Sequence, residues 1–310
     1  MTVWLCSGQG AQKPGMGADL LACDEFAQVK EVFSVGSKIL GLDLAELARN
    51  GSEAQVNDPF AAQALTVAVS VGIGRELAVR GHVPEAVVGF SLGQVSALAL
   101  SGMLGIEDTF TLLKARATAL AVACAEHPGA MTALMGASHE DAAALCAECA
   151  EGEVLLPANY NCPGQVVISG DANAIDRAQA AWAAAHGERK VARLNTAGGF
   201  HTPLMESAAA TCGEAAHKLA FAEPICPVLC NTDAEPLTAD SAATRMEQQV
   251  KSPVRFEQSI AKLLEGGATE FAELGYGGVL ANLVKRCDRS TTRHALGSAD
   301  ALRAYLGIAG

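Results

Sequence analysis

The apolar positions follow two rhythms along the chain. Val3-Trp4-Leu5 is a short continuous apolar run, the pattern of a strand buried on both faces, and it leads into Gly8-Gln9-Gly10-Ala11-Gln12. Residues 25–49 and 61–80 carry apolar side chains at helical spacing. Val87-Val88 reads as the next strand, Leu92 to Leu100 as a buried helix, and 107–125 as another helix with Asp108 near its start. This alternation predicts parallel strands covered by helices. The rhythm changes over 128–195. Ala130 to Met135 is strand-like, and Ser138 with Asp141 three residues later predicts a capping box opening a helix to Ala150. Val154 to Pro157 and Gln165 to Ile168 read as strands joined by a turn around Asn161-Cys162-Pro163-Gly164. Asp171 to Ala185 reads as a helix and Lys190 to Leu194 as a last strand. The order βαββαβ is that of a ferredoxin-like unit. Beyond it, Thr202-Pro203 opens a helix with proline at its first position, and strand-like pieces recur at Pro227 to Cys230 and Glu270 to Glu273. The expected fold is therefore α/β. Residues 1–127 and 196–310 form a hydrolase-like parallel sheet flanked by helices, and 128–195 form an inserted small ferredoxin-like subdomain.

Charge narrows the function. The 310-residue chain carries a net charge of −12 and no run of Lys or Arg, so it lacks the basic stripe of a nucleic-acid binder. An anionic substrate would need a locally placed cation. Ten cysteines are scattered from Cys6 to Cys287 in a chain far longer than a disulfide-stapled domain. Met1 to Ser7 has no basic segment of a signal peptide. Reduced cysteines in a cytoplasmic protein are the expectation. Cys146-x-x-Cys149 lies in an Ala-rich helical stretch, and Cys226 and Cys230 flank Pro227; neither pair is clustered with the further ligands that zinc needs. No metal is expected.

Ala86 to Ile106 holds no charged residue and is long enough to cross a membrane. Gly89, Ser91, Gly93, Gln94, Ser96, Ser101 and Gly102 interrupt it, which suits a strand, a turn and a buried helix better. Gly89-Phe90-Ser91-Leu92-Gly93 is a G-x-S-x-G. Small residues two positions either side of the serine let strand and helix crowd together, and the hydroxyl stands at a helix N-terminus, where unpaired N–H groups favour an oxyanion. The competing reading is a glycine-rich packing turn. A serine nucleophile needs a base. Of seven histidines, His82, His127, His139, His186 and His217 sit in polar or helical-surface contexts. His201 follows a strand and Ala197-Gly198-Gly199-Phe200 and precedes a capped helix, the loop position where α/β folds place catalytic groups. His294, after a late polar loop, is its rival. The Gly8 to Gln12 loop fits neither G-x-G-x-x-G nor the P-loop; it either cradles phosphate or completes an oxyanion hole beside the Leu92 N–H.

Together these residues resemble the malonyl-CoA:acyl carrier protein transacylases, the acyltransferase fold of fatty-acid and polyketide synthesis. The likeness runs nearly end to end. It rests on Gly8 to Gln12, Gln63, Gly89-x-Ser91-Leu92-Gly93, Arg116 and Asn159 with Asn161-x-Pro163-Gly164-Gln165-Val166-Val167. Phe200-His201-Thr202-Pro203-Leu204-Met205 and Gln249-x-x-Ser252-Pro253-Val254 complete it. The resemblance implies that Ser91 attacks a malonyl thioester and holds the acyl group as an ester, with His201 as its base. It implies that a main-chain carbonyl at Gln249 orients the histidine in place of an acid, and that Gln9 and the Leu92 N–H form the oxyanion hole. Arg116 would pair the malonyl carboxylate, with Gln63 and Phe90 bordering the acyl site. Phe200 would crowd the α-carbon against a methyl branch.

The sequence departs from the family at Phe90, where a histidine is usual, at Gln94-Val95, where Glu-Tyr is usual, and at Cys6-Ser7, where Phe-Pro is usual. Phe90 bears most on acyl specificity. The implied reaction moves malonyl from coenzyme A through Ser91 to the phosphopantetheine thiol of an acyl carrier protein. The coenzyme A thioester is the substrate, with no tightly bound cofactor, no nucleic acid and no membrane. Lys190, Arg193, Lys251, Arg255, Lys285 and Arg286 are the candidates for docking an acidic carrier. Fatty-acid synthesis is the expected pathway. A polyketide line and malonate breakdown remain open, as do two other classes, a serine hydrolase and a non-catalytic scaffold.

Overall fold

The computed structural model describes residues 1–308. Its strands in chain order are β1 (Thr2–Cys6), β2 (Ala86–Gly89), β3 (Gly129–Met135), β4 (Leu155–Cys162), β5 (Gln165–Asp171), β6 (Val191–Arg193), β7 (Val228–Leu229), β8 (Val254–Arg255), β9 (Glu270–Leu274) and β10 (Thr292–Ala295). They form two five-stranded sheets.

The first sheet has the order β10-β9-β1-β2-β7, with every neighbouring pair parallel. β1 lies at its centre, which is why its apolar run is unbroken. The two-residue pleat sends Trp4 and Cys6 into one apolar cluster and Val3 and Leu5 into another. The first cluster is built with helices Ala27–Leu40, Pro59–Val79 and Ile106–Glu126; the second with Phe256–Glu265 and Val279–Cys287. Pro59–Val79 begins sharply: Pro59 fills the first helical position, and Asp58 accepts from the N–H groups of Phe60 and Ala61 at 3.1 and 3.0 Å. Among the described residues it is the one helix long and apolar enough to cross a membrane, and 83% of that apolar window is buried inside the protein.

The second sheet has the order β6-β3-β5-β4-β8. Its first four strands are antiparallel neighbours, in the arrangement of a ferredoxin-like βαββαβ unit. Helices His139–Cys149 and Ala172–His186 cover it through their own cluster of Leu134, Val166, Ile168, Ile175 and Trp182. The capping box at Ser138 and Asp141 is present. The fifth strand, β8, comes from the far end of the chain and runs parallel to β4, pairing Asn159 with Val254 and Tyr160 with Arg255.

Several elements differ from the sequence expectation. The helical spacing of 25–49 is broken at Gly41, a left-handed C-cap at φ +70°, into Ala27–Leu40 and Leu44–Asn50. The helix at Thr202-Pro203 opens as a single tight turn, Pro203–Met205, before Glu206–Ala216. β10 and the closing helix Ala299–Leu306 had no sequence counterpart; β10 is a polar edge strand, without the apolar run that marks a central one. The uncharged stretch 86–106 is β2, a turn, and the buried helix Gly93–Leu100.

Candidate active site

The turn from β2 into helix Gly93–Leu100 has the crowding that its glycines allow. A Cβ on Gly89 would lie 2.1 Å from the Gln94 nitrogen, and one on Gly93 would lie 2.0 Å from the Cys6 carbonyl oxygen of β1. Ser91 between them is held at φ +52°, a conformation that costs a non-glycine residue about 1–3 kcal/mol. Its hydroxyl is thereby pushed out of the turn toward His201, and Oγ lies 2.7 Å from Nε2.

His201 is also in the left-handed region, at φ +62°. It is buried, and its Nδ1 lies 3.0 Å from the Gln249 carbonyl and 3.1 Å from that of Ser252. Two carbonyls can only accept, so Nδ1 carries the proton and Nε2 is left as the acceptor for the Ser91 hydroxyl. Burial, and then the charge of Arg116, push the His201 pKa down to about 4, against the two carbonyls, which favour the imidazolium. The ring is therefore neutral at physiological pH, and no carboxylate touches it among the described residues. The pair can take a proton from Oγ as an acyl carbon is attacked and return it to a leaving group.

The main-chain donors of the turn are nearly all spoken for. Phe90 N–H bonds Cys6, Ser91 N–H bonds Asn231 Oδ1 at 2.8 Å, and the N–H groups of Gly93, Gln94 and Val95 bond the carbonyls three residues back. Leu92 N–H has no partner among the described residues and stands at the helix N-cap beside Oγ. Gln9, on the loop after β1, lines the same cavity, and its N–H likewise has no partner among the described residues. Ser7 anchors that loop: its Oγ donates at 3.1 Å to the buried carboxylate of Glu273, which also accepts from Ala281 N–H at 2.9 Å. Burial raises the Glu273 pKa.

Ser91, His201, Gln9, Leu92, Phe90, Phe200 and Arg116 converge on one cavity of about 130 Å³. Arg116 enters it from helix Ile106–Glu126. It is 4% exposed; its Nη1 donates to Gln63 Oε1 at 2.6 Å, its Nε has no partner, and no carboxylate pairs with it among the described residues. Burial pushes the guanidinium pKa down. A buried charge without a counter-ion is costly, so this end of the cavity favours an anion. Phe200 and Leu120 line both this cavity and a second one of about 270 Å³, whose lining includes Gln63, Ala121 and Cys124. Phe90 packs edge-on against Phe256, with ring centroids 5.4 Å apart. Gln63 stands behind Arg116, and Gln249 behind both Ser91 and His201.

His294, the rival base, is not part of this arrangement. It lies on β10, 3.0 Å from Glu270 and packed on Tyr305. Sequence reasoning missed Asn231, Ser7 as an anchor, and Glu273. Asn231 follows a two-residue strand, and its partners on the Ser91 turn lie some 140 residues away, so no local pattern exposes it.

An acyl transferase domain model matches residues 3–302. The chain belongs to the acyl transferase family. This acyl transferase is 35% identical over 302 residues to the malonyl CoA-acyl carrier protein transacylase of Salmonella typhimurium, covering 96% of each chain. It is 32% identical to that of Bacillus subtilis, over 92% of this chain and 90% of the relative. Among solved structures it resembles the malonyl-CoA:acyl carrier protein transacylase of Xanthomonas oryzae, with a TM-score of 0.93 and 35% identity over 99% of this chain and 97% of the other. It also resembles a malonyl-transacylase solved in complex with its type II PKS acyl-carrier protein, with a TM-score of 0.93 and 31% identity over 99% of each. The acyl transferase thus shares an α/β fold, with a parallel sheet flanked by helices and a mixed second sheet, with both of them.

Proposed function

We propose that this enzyme transfers malonyl from malonyl-CoA to the phosphopantetheine thiol of an acyl carrier protein, through a malonyl ester on Ser91. The observation that carries the reading is the buried, carboxylate-free guanidinium of Arg116 in the same small cavity as the Ser91–His201 pair. In the first half-reaction, Ser91 Oγ attacks the thioester carbon as His201 Nε2 takes its proton. The oxyanion is received by the N–H groups of Leu92 and Gln9, and the carbon–sulfur bond breaks as the imidazolium returns the proton to the coenzyme A sulfur. In the second, His201 takes the proton of the carrier thiol, the sulfur attacks the malonyl ester, and the Ser91 oxygen leaves with that proton. The main-chain carbonyls of Gln249 and Ser252 fix the tautomer, so no acid is needed. Arg116, backed by Gln63, binds the malonyl carboxylate through its fork. A cavity of about 150 Å³ holds a benzene ring, so about 130 Å³ suits a three-carbon acyl group and not a long chain. Phe200 and Phe90 bound it on the α-carbon side.

The full-length likeness to malonyl CoA-acyl carrier protein transacylases supports a place in fatty-acid biosynthesis. Ten free thiols, nine of them buried, suit a reducing cytoplasm. We divide the enzyme into a catalytic core of 1–127 and 196–310 and a small unit of 128–195. Of the candidate docking cations, Arg193 and Lys251 are paired with Asp176 and Glu206 at 2.6 Å. Arg255 and Arg286 lie on main-chain carbonyls, while Lys190 and Lys285 have no carboxylate partner among the described residues, so these two lysines offer the better carrier contact. Intact-protein mass spectrometry after malonyl-CoA treatment tests the reading. A malonyl adduct that Ser91→Ala abolishes and a carrier thiol discharges is expected. Rapid loss of the acyl group to water with no thiol present would make the enzyme a hydrolase instead.

A further inference from the structure

Three main-chain atoms of the strained turn are held by side chains from elsewhere in the chain. Asn231 Nδ2 donates to the Gly89 carbonyl at 2.6 Å, and Asn231 Oδ1 accepts the Ser91 N–H at 2.8 Å. Gln249 Nε2 donates to the Ser91 carbonyl at 2.7 Å and to Asn231 Oδ1 at 3.1 Å. Both residues are completely buried. Their amide orientations are over-determined, since a carbonyl requires a donor and an N–H an acceptor. Asn231 is itself fixed by its own N–H, which bonds Gln94 Oε1 at 2.7 Å. Gln249 leaves its Oε1 buried without a partner among the described residues, so its two donated bonds are kept at a cost. The same residue's main-chain carbonyl receives His201 Nδ1–H.

We infer that Asn231 and the Gln249 side chain are positioning residues that lock the Ser91 turn and set its Oγ in register with His201. Gln249 is the joint of the device: its backbone aims the base, its side chain aims the nucleophile, and Asn231 ties the two to the turn. Neither side chain touches the acyl group. The inference rests on Ser91 being the nucleophile of the proposed reaction. A displacement of about 1 Å at such a site costs ~10²-fold in rate. The experiment compares Asn231→Ala, Asn231→Asp and Gln249→Met, alone and with Asn231→Ala and Gln249→Met combined. It measures single-turnover acylation by malonyl-CoA and, separately, labelling of Ser91 by a fluorophosphonate, which forms a phosphorus–oxygen bond at Oγ with loss of fluoride.

Gln249→Met keeps length and the carbonyl on His201, so the pH midpoint of acylation stays in place while the rate falls ~10²-fold. Asn231→Ala falls similarly with little change in the malonyl-CoA dependence. Asn231→Asp keeps both accepted bonds but turns a carboxylate oxygen on the Gly89 carbonyl in place of a donor, so it falls as Asn231→Ala does, and the double variant loses little more than either single one. Fluorophosphonate labelling slows in parallel. Wild-type rates in Gln249→Met, additive losses, or a loss confined to the malonyl-CoA dependence would each overturn the inference. If Asn231→Ala does not fold, Gln249→Met and Asn231→Asp decide it. Wild-type enzyme that labels with fluorophosphonate but not with malonyl-CoA would defeat the transacylase reading alone and leave this one standing.

Discussion

The two ends of the active cavity are built on opposite plans. At the Ser91 end nearly every polar group is satisfied: every N–H of the turn except that of Leu92 is assigned, its carbonyls are clamped, and His201 is fixed by two carbonyls. At the Arg116 end a buried guanidinium has, among the described residues, one bond to Gln63 and an unpaired Nε. The first end spends folding energy to hold a strained geometry ready. The second leaves a charge uncompensated until an anion arrives. Pre-organisation serves chemistry, where atoms must already be placed; an open valence serves selection, because a ligand that brings an anion to it is favoured over one that does not.

Breaking the satisfied end has the largest expected effect. Ser91→Ala abolishes the acyl-enzyme, and His201→Ala lowers the acylation rate by ~10²–10⁴-fold, the range of a lost general base; rapid-quench kinetics reads both. Breaking the open end is smaller and selective. Arg116→Ala is expected to lower kcat/KM for malonyl-CoA by roughly 10²–10³-fold, as for one partner of a buried charge pair, while acetyl transfer changes little. Equal losses for the two donors would remove Arg116 from carboxylate binding.

The ends also speak to each other through the field of Arg116, and pH exposes this. His201 titrates at about 4 instead of the ordinary histidine value, so acylation stays level through pH 6.5 and falls only as pH approaches 4. Arg116→Ala removes a lowering influence and moves that midpoint upward. The sign for stability follows from the same shift. On acidification the unfolded chain takes up the His201 proton first, so this residue's contribution is intact above its unfolded pKa and is lost as pH falls toward 4. Denaturant titrations across that window check it. The smallest effect concerns Phe200, which lines both cavities. Phe200→Ala should narrow the preference for malonyl over methylmalonyl by ~10–200-fold, the value of one methyl group in a pocket, measured as a ratio of kcat/KM values.

The sequence exposed what local spacing encodes. Two glycines flanking Ser91, the capping box at Ser138, and a glycine-rich loop before His201 all act within a few residues, and all stand where expected. Arg116 was different: on spacing alone it is one more helical arginine, and only its place among several motifs marked it. Asn231, Glu273 and the Gln249 side chain were not legible because each acts on a segment 140 or more residues away in sequence. β8 escaped for a related reason: two residues, Val254 and Arg255, form a strand only because β4 offers them an edge.

That two-residue strand has a mechanical consequence. Ser252, whose carbonyl steers His201, lies two residues before Val254, and Val254 is bonded opposite Asn159, which lines the cavity from the second sheet. The stitch ties the second sheet to the backbone that holds His201. If His201 is the base of the proposed reaction, a swing of that sheet that widened the entrance for a bulky thioester would tug the backbone on which the imidazole rests, and opening the door would disarm the base in the same movement.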